Sequence, residues 1–286
     1  IYTLSLHDAL PISTSVNLAS RLADGTIRAY QQALTLHLMP INLIGVAISN
    51  AAFPQLTERL GEGRLDLFQK DLRSLLRIIF WMALPTSVVI FFTRGYIVHF
   101  IRNTGDQLMA GILGCLVVAI LFRTIYHMAA RAFYARQDTK TPLYISVFSI
   151  SLNIALAIIL TMNLNMGAYG LAWAQSTVAV FEVVILLLVM SKQMPRMFNR
   201  AFVTAIGKMI AASAVAGVVC YIGVSVMPFR DTDSSFFSAF PKFTIISIVS
   251  FGVYLLMSKL LRLPEVDPIL KKGKKLLFGR LDGVWR

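Results

Sequence analysis

The chain has 286 residues, of which 57% are hydrophobic and only 14% charged, and its mean hydropathy is +0.70. Soluble domains carry about 25% charged residues, so the composition excludes an ordinary soluble enzyme and a disordered chain alike. The net charge is +13; its cations sit in short stretches beside apolar runs, which points to membrane orientation rather than to nucleic acid.

Residues 1–13, IYTLSLHDALPIS, lack the basic start and long apolar centre of a signal peptide. They look like translated adapter sequence and are set aside as an expected non-native leader. Seven apolar stretches follow. The first, 28–53, is the most polar, with Gln31, Gln32, His37, Asn42 and Asn50, and Pro40 interrupts it. Next comes 58–77, ERLGEGRLDLFQKDLRSLLR, where Leu65, Leu67, Phe68, Leu72, Leu75 and Leu76 share a helical face opposite Lys70, Asp71 and Arg73. This spacing predicts an amphipathic helix lying on the membrane surface and leading into the second span. The second stretch is 75–92, with Pro85 inside; the third is 108–126, extended towards Tyr134; the fourth is 143–162. A tight turn at 163–167 leads to the fifth, 168–190, and then come the sixth, 202–226, and the seventh, 243–261.

A helix needs about 20 apolar residues to cross a bilayer. Continuous runs of this length, rather than alternating ten-residue segments, exclude a lipid-facing barrel. Every backbone group in lipid needs an internal partner. The fold class is therefore all-α, a polytopic transmembrane helix bundle of about seven spans. Twenty of the 27 Lys and Arg fall on one side of these spans and six on the other, with Arg123 inside a span. By the positive-inside rule the 131–142 loop and the C-terminus are cytoplasmic. The tail, with LKKGKKLLFGRLDGVWR, sets four lysines among Leu, Phe and Trp; that suits an anionic leaflet surface, not nucleic acid. Cys115 and Cys220 lie in apolar runs without His or Cys at metal spacing, and are expected to be packing residues. No metal and no cofactor are expected.

Ionisable groups inside spans are costly and are candidates for function. Glu182 lies in the fifth span; Arg123 and His127 are one helical turn apart on the third and share a face. Asn153, Gln175, His37 and Gln31 are further polar residues at membrane depth. Two readings stay open: a hydrated cavity meeting a polar or anionic ligand, or interhelical bonds such as Glu182 with Arg123. No GxSxG, HExxH, Gly-rich phosphate loop with Lys, or neighbouring carboxylate pair occurs in the sequence; this argues against a membrane enzyme and for a transporter.

Three strings carry a family resemblance: ARAFYARQDTKTP at 130–142, LMPINLIGVAISNAAFPQL at 38–56 and ASRLADGTIRAYQQA at 19–33. With the spacing of the spans, they resemble the MurJ/MviN family of lipid II flippases, which shares a superfamily with multidrug and O-antigen exporters. The resemblance covers roughly 15–188. It implies fourteen helices in two six-helix lobes plus a C-terminal pair. On that pattern 14–191 would be the second-lobe bundle, 192–261 the extra helix pair and 262–286 a basic cytoplasmic tail, with the first lobe missing. It further implies a bacterial inner-membrane protein that flips lipid II by alternating access for peptidoglycan synthesis, with membrane lipids around it and cell-wall synthesis proteins as further candidate partners. Cavity cations would meet the diphosphate, and the extra pair would form a groove for the lipid tail.

One departure matters. Ala33-Leu34-Thr35 stands where many members have Ala-Asp-Arg, which shifts the expected polar work to Arg21, Arg28, Gln31 and His37. Together with Arg123, His127 and Glu182 these are the candidate substrate-binding residues. In the 130–142 string, Thr141 is expected to cap a helix and Pro142 to open it. Arg131 and Arg136 would end the preceding helix on the cytoplasmic side; with Asp138, they read as a structural turn. An exporter of another lipid-linked polysaccharide or of drugs, and a non-transporting scaffold for cell-wall enzymes, remain as alternatives.

Overall fold

A computed structural model describes residues 25–102, 106–194, 197–228 and 236–267. The expected leader, Arg21 and the tail beyond 267 lie outside the described residues. The ordered elements are helical: α1 (Thr26–Pro40), a π-helical segment Ile41–Val46, α2 (Ala47–Gly61), α3 (Leu65–Arg102), α4 (Gln107–Ala135), α5 (Lys140–Ile158) with a second π segment Ile159–Asn163, α6 (Ala168–Gln193), α7 (Arg200–Val226), α8 (Phe236–Leu260) and a 3₁₀ turn Pro264–Val266. Among the described residues seven helices are long and apolar enough to cross a membrane, with α1, the first π segment and α2 forming one of them. This is the all-α bundle that the continuous apolar runs imply.

Pro40 does not break the first span. Its missing N–H and its ring disturb the ladder of bonds to the carbonyls four residues back, and the chain answers with a six-residue π segment instead of a stop. Gly45 lies in that segment, packed against α4: a Cβ there would sit 2.9 Å from the Thr124 Cα. The arrangement recurs at the second π segment, where a Cβ on Gly170 of α6 would sit 2.8 Å from the Leu160 carbonyl carbon. Small residues that let backbones approach are how helices pack where lipid removes the hydrophobic drive. Between that segment and α6, Asn165 and Gly167 take positive φ angles of 51° and 56° and make the tight turn.

The amphipathic segment leads into the second span, as expected, but it is not a separate helix with its apolar stripe left free. From Leu65 onward it is the beginning of α3, a single helix of 38 residues. Phe68, Leu72 and Leu76 are completely buried, in a core shared with Leu56 of α2 and Phe133 of α4. The apolar stripe is real, but it meets protein rather than lipid headgroups. The α2–α3 connection is tied by Arg59, which pairs with Asp71 at 3.4 Å.

α4 is the central helix, packed against α1, α3 and α6. α7 and α8 pack on each other and dock chiefly on α3. The docking has a specific cause. Pro85 in α3 has no N–H to give the Trp81 carbonyl four residues back. Tyr254 of α8 supplies the missing donor, its hydroxyl 2.8 Å from that carbonyl. The Trp81 indole N–H in turn donates to Ser258 Oγ at 3.1 Å.

Candidate functional site

One face of the first span is polar and exposed. Arg28, Gln31 and Thr35 follow one another along α1 at helical spacing, and Asn42 and Asn50 continue the row beyond the π segment. Thr35 Oγ1 donates to the Gln31 carbonyl at 3.0 Å; Leu38 and Met39 fill the turn before Asn42 and are also exposed. Lipid offers such a row no hydrogen-bond partners. A surface of this kind on a spanning helix fits water or another protein surface.

The row leads into a cleft of about 230 Å³ between the first span and α4. Asn42, Ser49 and Asn50 line one side; His127, Arg131 and Tyr134 line the other. The Arg131 guanidinium donates to Asn50 Oδ1 and lies 5.3 Å from the Phe53 ring centre. Arg131 therefore belongs to a polar cleft, not only to the end of a helix. Asn42 and Asn50 were visible as polar residues of the first stretch, but nothing in their spacing tells which neighbour they meet.

The other predicted residues are placed differently. Arg123 is buried and does not line the cleft that His127 reaches one turn further on. Glu182 of α6 is wholly buried, and Arg123 and Glu182 both lie near enough to Tyr126 to act on it electrostatically. His37 is buried too, with Nδ1 donating to the Leu34 carbonyl of its own helix at 2.5 Å. Asn153 Nδ2 donates to Gln175 Oε1 at 3.2 Å and joins α5 to α6. Among the described residues no group of three or more His, Cys, Asp or Glu is placed to hold a metal ion.

The turn at 136–142 differs from expectation in one respect. Helix α5 begins at Lys140, so Thr141 is not its cap and Pro142 is not its first residue. Asp138 does the capping: its Oδ1 accepts the Thr141 N–H at 3.0 Å, and its Oδ2 accepts the Thr141 hydroxyl at 2.7 Å. Arg136 donates to Gln193 Oε1 at 2.6 Å, and Gln193 Nε2 lies 3.5 Å from Asp138 Oδ2. The turn is thereby pinned to the end of α6. Partial burial pushes the Asp138 carboxyl up, but the bonds from Thr141 and Gln193 and the nearby Arg136 outweigh it and hold it below its ordinary value.

Comparisons with known proteins bear on this architecture. The family model for lipid II flippase MurJ matches residues 6–240. A probable lipid II flippase MurJ of Thermotoga maritima is 28% identical over 264 residues, covering 90% of this chain and 50% of the relative. Another, from Borreliella burgdorferi, is 25% identical over 63% of this chain and 36% of its own length. Among solved structures, the lipid II flippase MurJ in an inward closed conformation superposes with a TM-score of 0.75 at 22% identity, covering 91% of this chain and 52% of that one. An outward-facing multidrug transporter of the MATE family shares the fold, with a TM-score of 0.60 at 13% identity over 90% of this chain and 62% of its own. The chain spans about half the length of the MurJ proteins that match it over nine-tenths of its own length. Seven spans and a family match over most of the sequence make it a multi-pass inner-membrane protein that belongs to the lipid II flippase MurJ family.

Proposed function

We propose that this chain forms one wall of a hydrated cavity through which a lipid-linked peptidoglycan precursor, lipid II, is flipped across the inner membrane by alternating access. The observation that carries the reading is the exposed row Arg28, Gln31, Thr35, Asn42 and Asn50, flanked by His127 and Arg131. A guanidinium holds a diphosphate through charge-assisted, bidentate bonds, and the amides and hydroxyl offer neutral partners along the path. Arg21 precedes Arg28 by seven residues in sequence and is proposed to extend the row. The buried His37, Arg123 and Glu182 are proposed to shape the wall from behind rather than to touch the precursor.

In this reading 14–191 corresponds to the second lobe, 192–261 to the extra pair and 262–286 to a basic tail on the cytoplasmic side, as the excess of Lys and Arg there favours. The precursor moves outward for cell-wall synthesis, with membrane lipids as the other partners. The test depletes a host of its own flippase and supplies the complete gene that encodes this chain, scoring lipid II in the outer leaflet. Rescue by the wild-type gene and its loss with Arg28→Glu are expected. A well-expressed protein that restores growth of no depleted cell and moves no lipid II would overturn the reading.

A further inference from the structure

A second cleft shares no lining residue with the one beside the polar row. It holds about 430 Å³ between the first turns of α3 and the Pro264–Val266 turn after α8. Lys70, Arg73 and Arg77 follow at i, i+3 and i+7 and line it together. One carboxylate, Glu265, also lines it, paired with Arg77 at 2.5 Å. Arg73 is fixed as well, donating from Nε to the Met197 carbonyl at 2.8 Å. Three cations against one carboxylate leave the cleft with an excess of two positive charges.

The same helical face continues into apolar surface. Trp81 and Met82 line the cleft's floor, and both also line an adjoining apolar groove of about 210 Å³ that runs between α3 and α8 past Pro85 and Leu255. Cations, then a largely buried tryptophan that lines both clefts, then an apolar groove succeed one another within about 20 Å of helix. That order is the order of chemistry along a phospholipid from phosphate to acyl chain. Basic pockets between helices on the cation-rich side of a membrane protein suit anionic headgroups. The basic stretch LKKGKK that follows in the sequence would be repelled by such a cleft.

We propose that this cleft binds an anionic phospholipid of the adjacent leaflet. Its phosphodiester would rest on Lys70, Arg73 and Arg77, and one acyl chain on Trp81 and Met82 along the α3–α8 groove. The site is separate from the polar row and does not depend on what the row transports.

The test uses Trp81 as reporter. The chain has three tryptophans, so Trp173→Phe with Trp285→Phe leaves Trp81 alone. The full chain is reconstituted in vesicles containing phosphatidylglycerol and phosphatidylcholine, with brominated acyl chains on one lipid at a time. Stronger quenching by brominated phosphatidylglycerol at equal mole fraction is expected. That preference should fall about fivefold for each charge removed in Lys70→Gln and in Lys70→Gln/Arg73→Gln. Lys70 is exposed, so the single variant leaves the fold intact even if the double does not. Equal quenching by the two lipids, or a preference unchanged in Lys70→Gln, overturns the proposal. So does relief of quenching by inorganic phosphate, which would make the site one for a soluble anion. Relief by undecaprenyl diphosphate at mole fractions where phosphatidylglycerol has no effect would assign the cleft to the transported lipid and overturn it likewise.

Discussion

Two side chains show how much local chemistry is settled by partners distant in sequence. Tyr254→Phe removes a hydroxyl and leaves the Trp81 carbonyl, already deprived by Pro85, without its donor in a buried place. The expected cost is about 1–3 kcal/mol, read as a lower Tm for the detergent-solubilised protein, while Tyr221→Phe, on an exposed residue, leaves it unchanged. Asp138 makes a prediction in pH. Its folded carboxyl lies below its ordinary value, so its contribution is fully present above the unfolded value of about 3.9 and is lost as pH falls through the folded one. Asp138→Asn keeps an oxygen for the Thr141 N–H but loses the one that accepts the Thr141 hydroxyl, and should cost about 1 kcal/mol at neutral pH. The gap to wild type should close in melts carried below about pH 3.9. The string 130–142 declared a turn, and Thr141 looked like its cap. Asp138 three residues earlier is an equally good cap, and only the position of the first helical turn decides between them.

Helices were legible where lipid dictates them. Unbroken apolar runs can only be spans, because a bilayer leaves the backbone no other way to satisfy itself. What the runs do not state is which medium each face meets. The 58–77 segment has a correct apolar stripe, yet Phe68, Leu72 and Leu76 are spent on α2 and α4 rather than on headgroups. The two π segments were equally hidden, since Pro40 signals a disturbance but not its resolution. Gly45→Ala should force the π segment away from Thr124 and destabilise by about 1–3 kcal/mol. Gly207→Ala, in α7 with open space around it, should instead stabilise by about 0.5–1 kcal/mol. Thermal unfolding of the two variants checks both signs.

Across the whole molecule the polar row and the apolar faces make opposite demands on their surroundings. With Cys115 and Cys220 replaced by Ala, Arg28→Cys and Gln31→Cys should react with a membrane-impermeant thiol reagent in intact vesicles. Phe148→Cys, exposed on α5, should stay unlabelled because lipid covers it. Equal labelling of all three would remove the case for a hydrated wall. The row was partly legible as the concentration of Gln, His and Asn in the first apolar stretch. Its continuation into Arg131 was not, because 81 residues separate that side chain from Asn50. The gap that Pro85 opens in α3 has a last consequence, for assembly. A newly inserted α8 finds little in lipid to tell it where along α3 to stop. Displaced by one turn, about 5.4 Å, its tyrosine would meet a carbonyl already engaged, and the vacant one would stay vacant. The proline thus acts as an index mark, giving a late-arriving helix a single depth at which to come to rest.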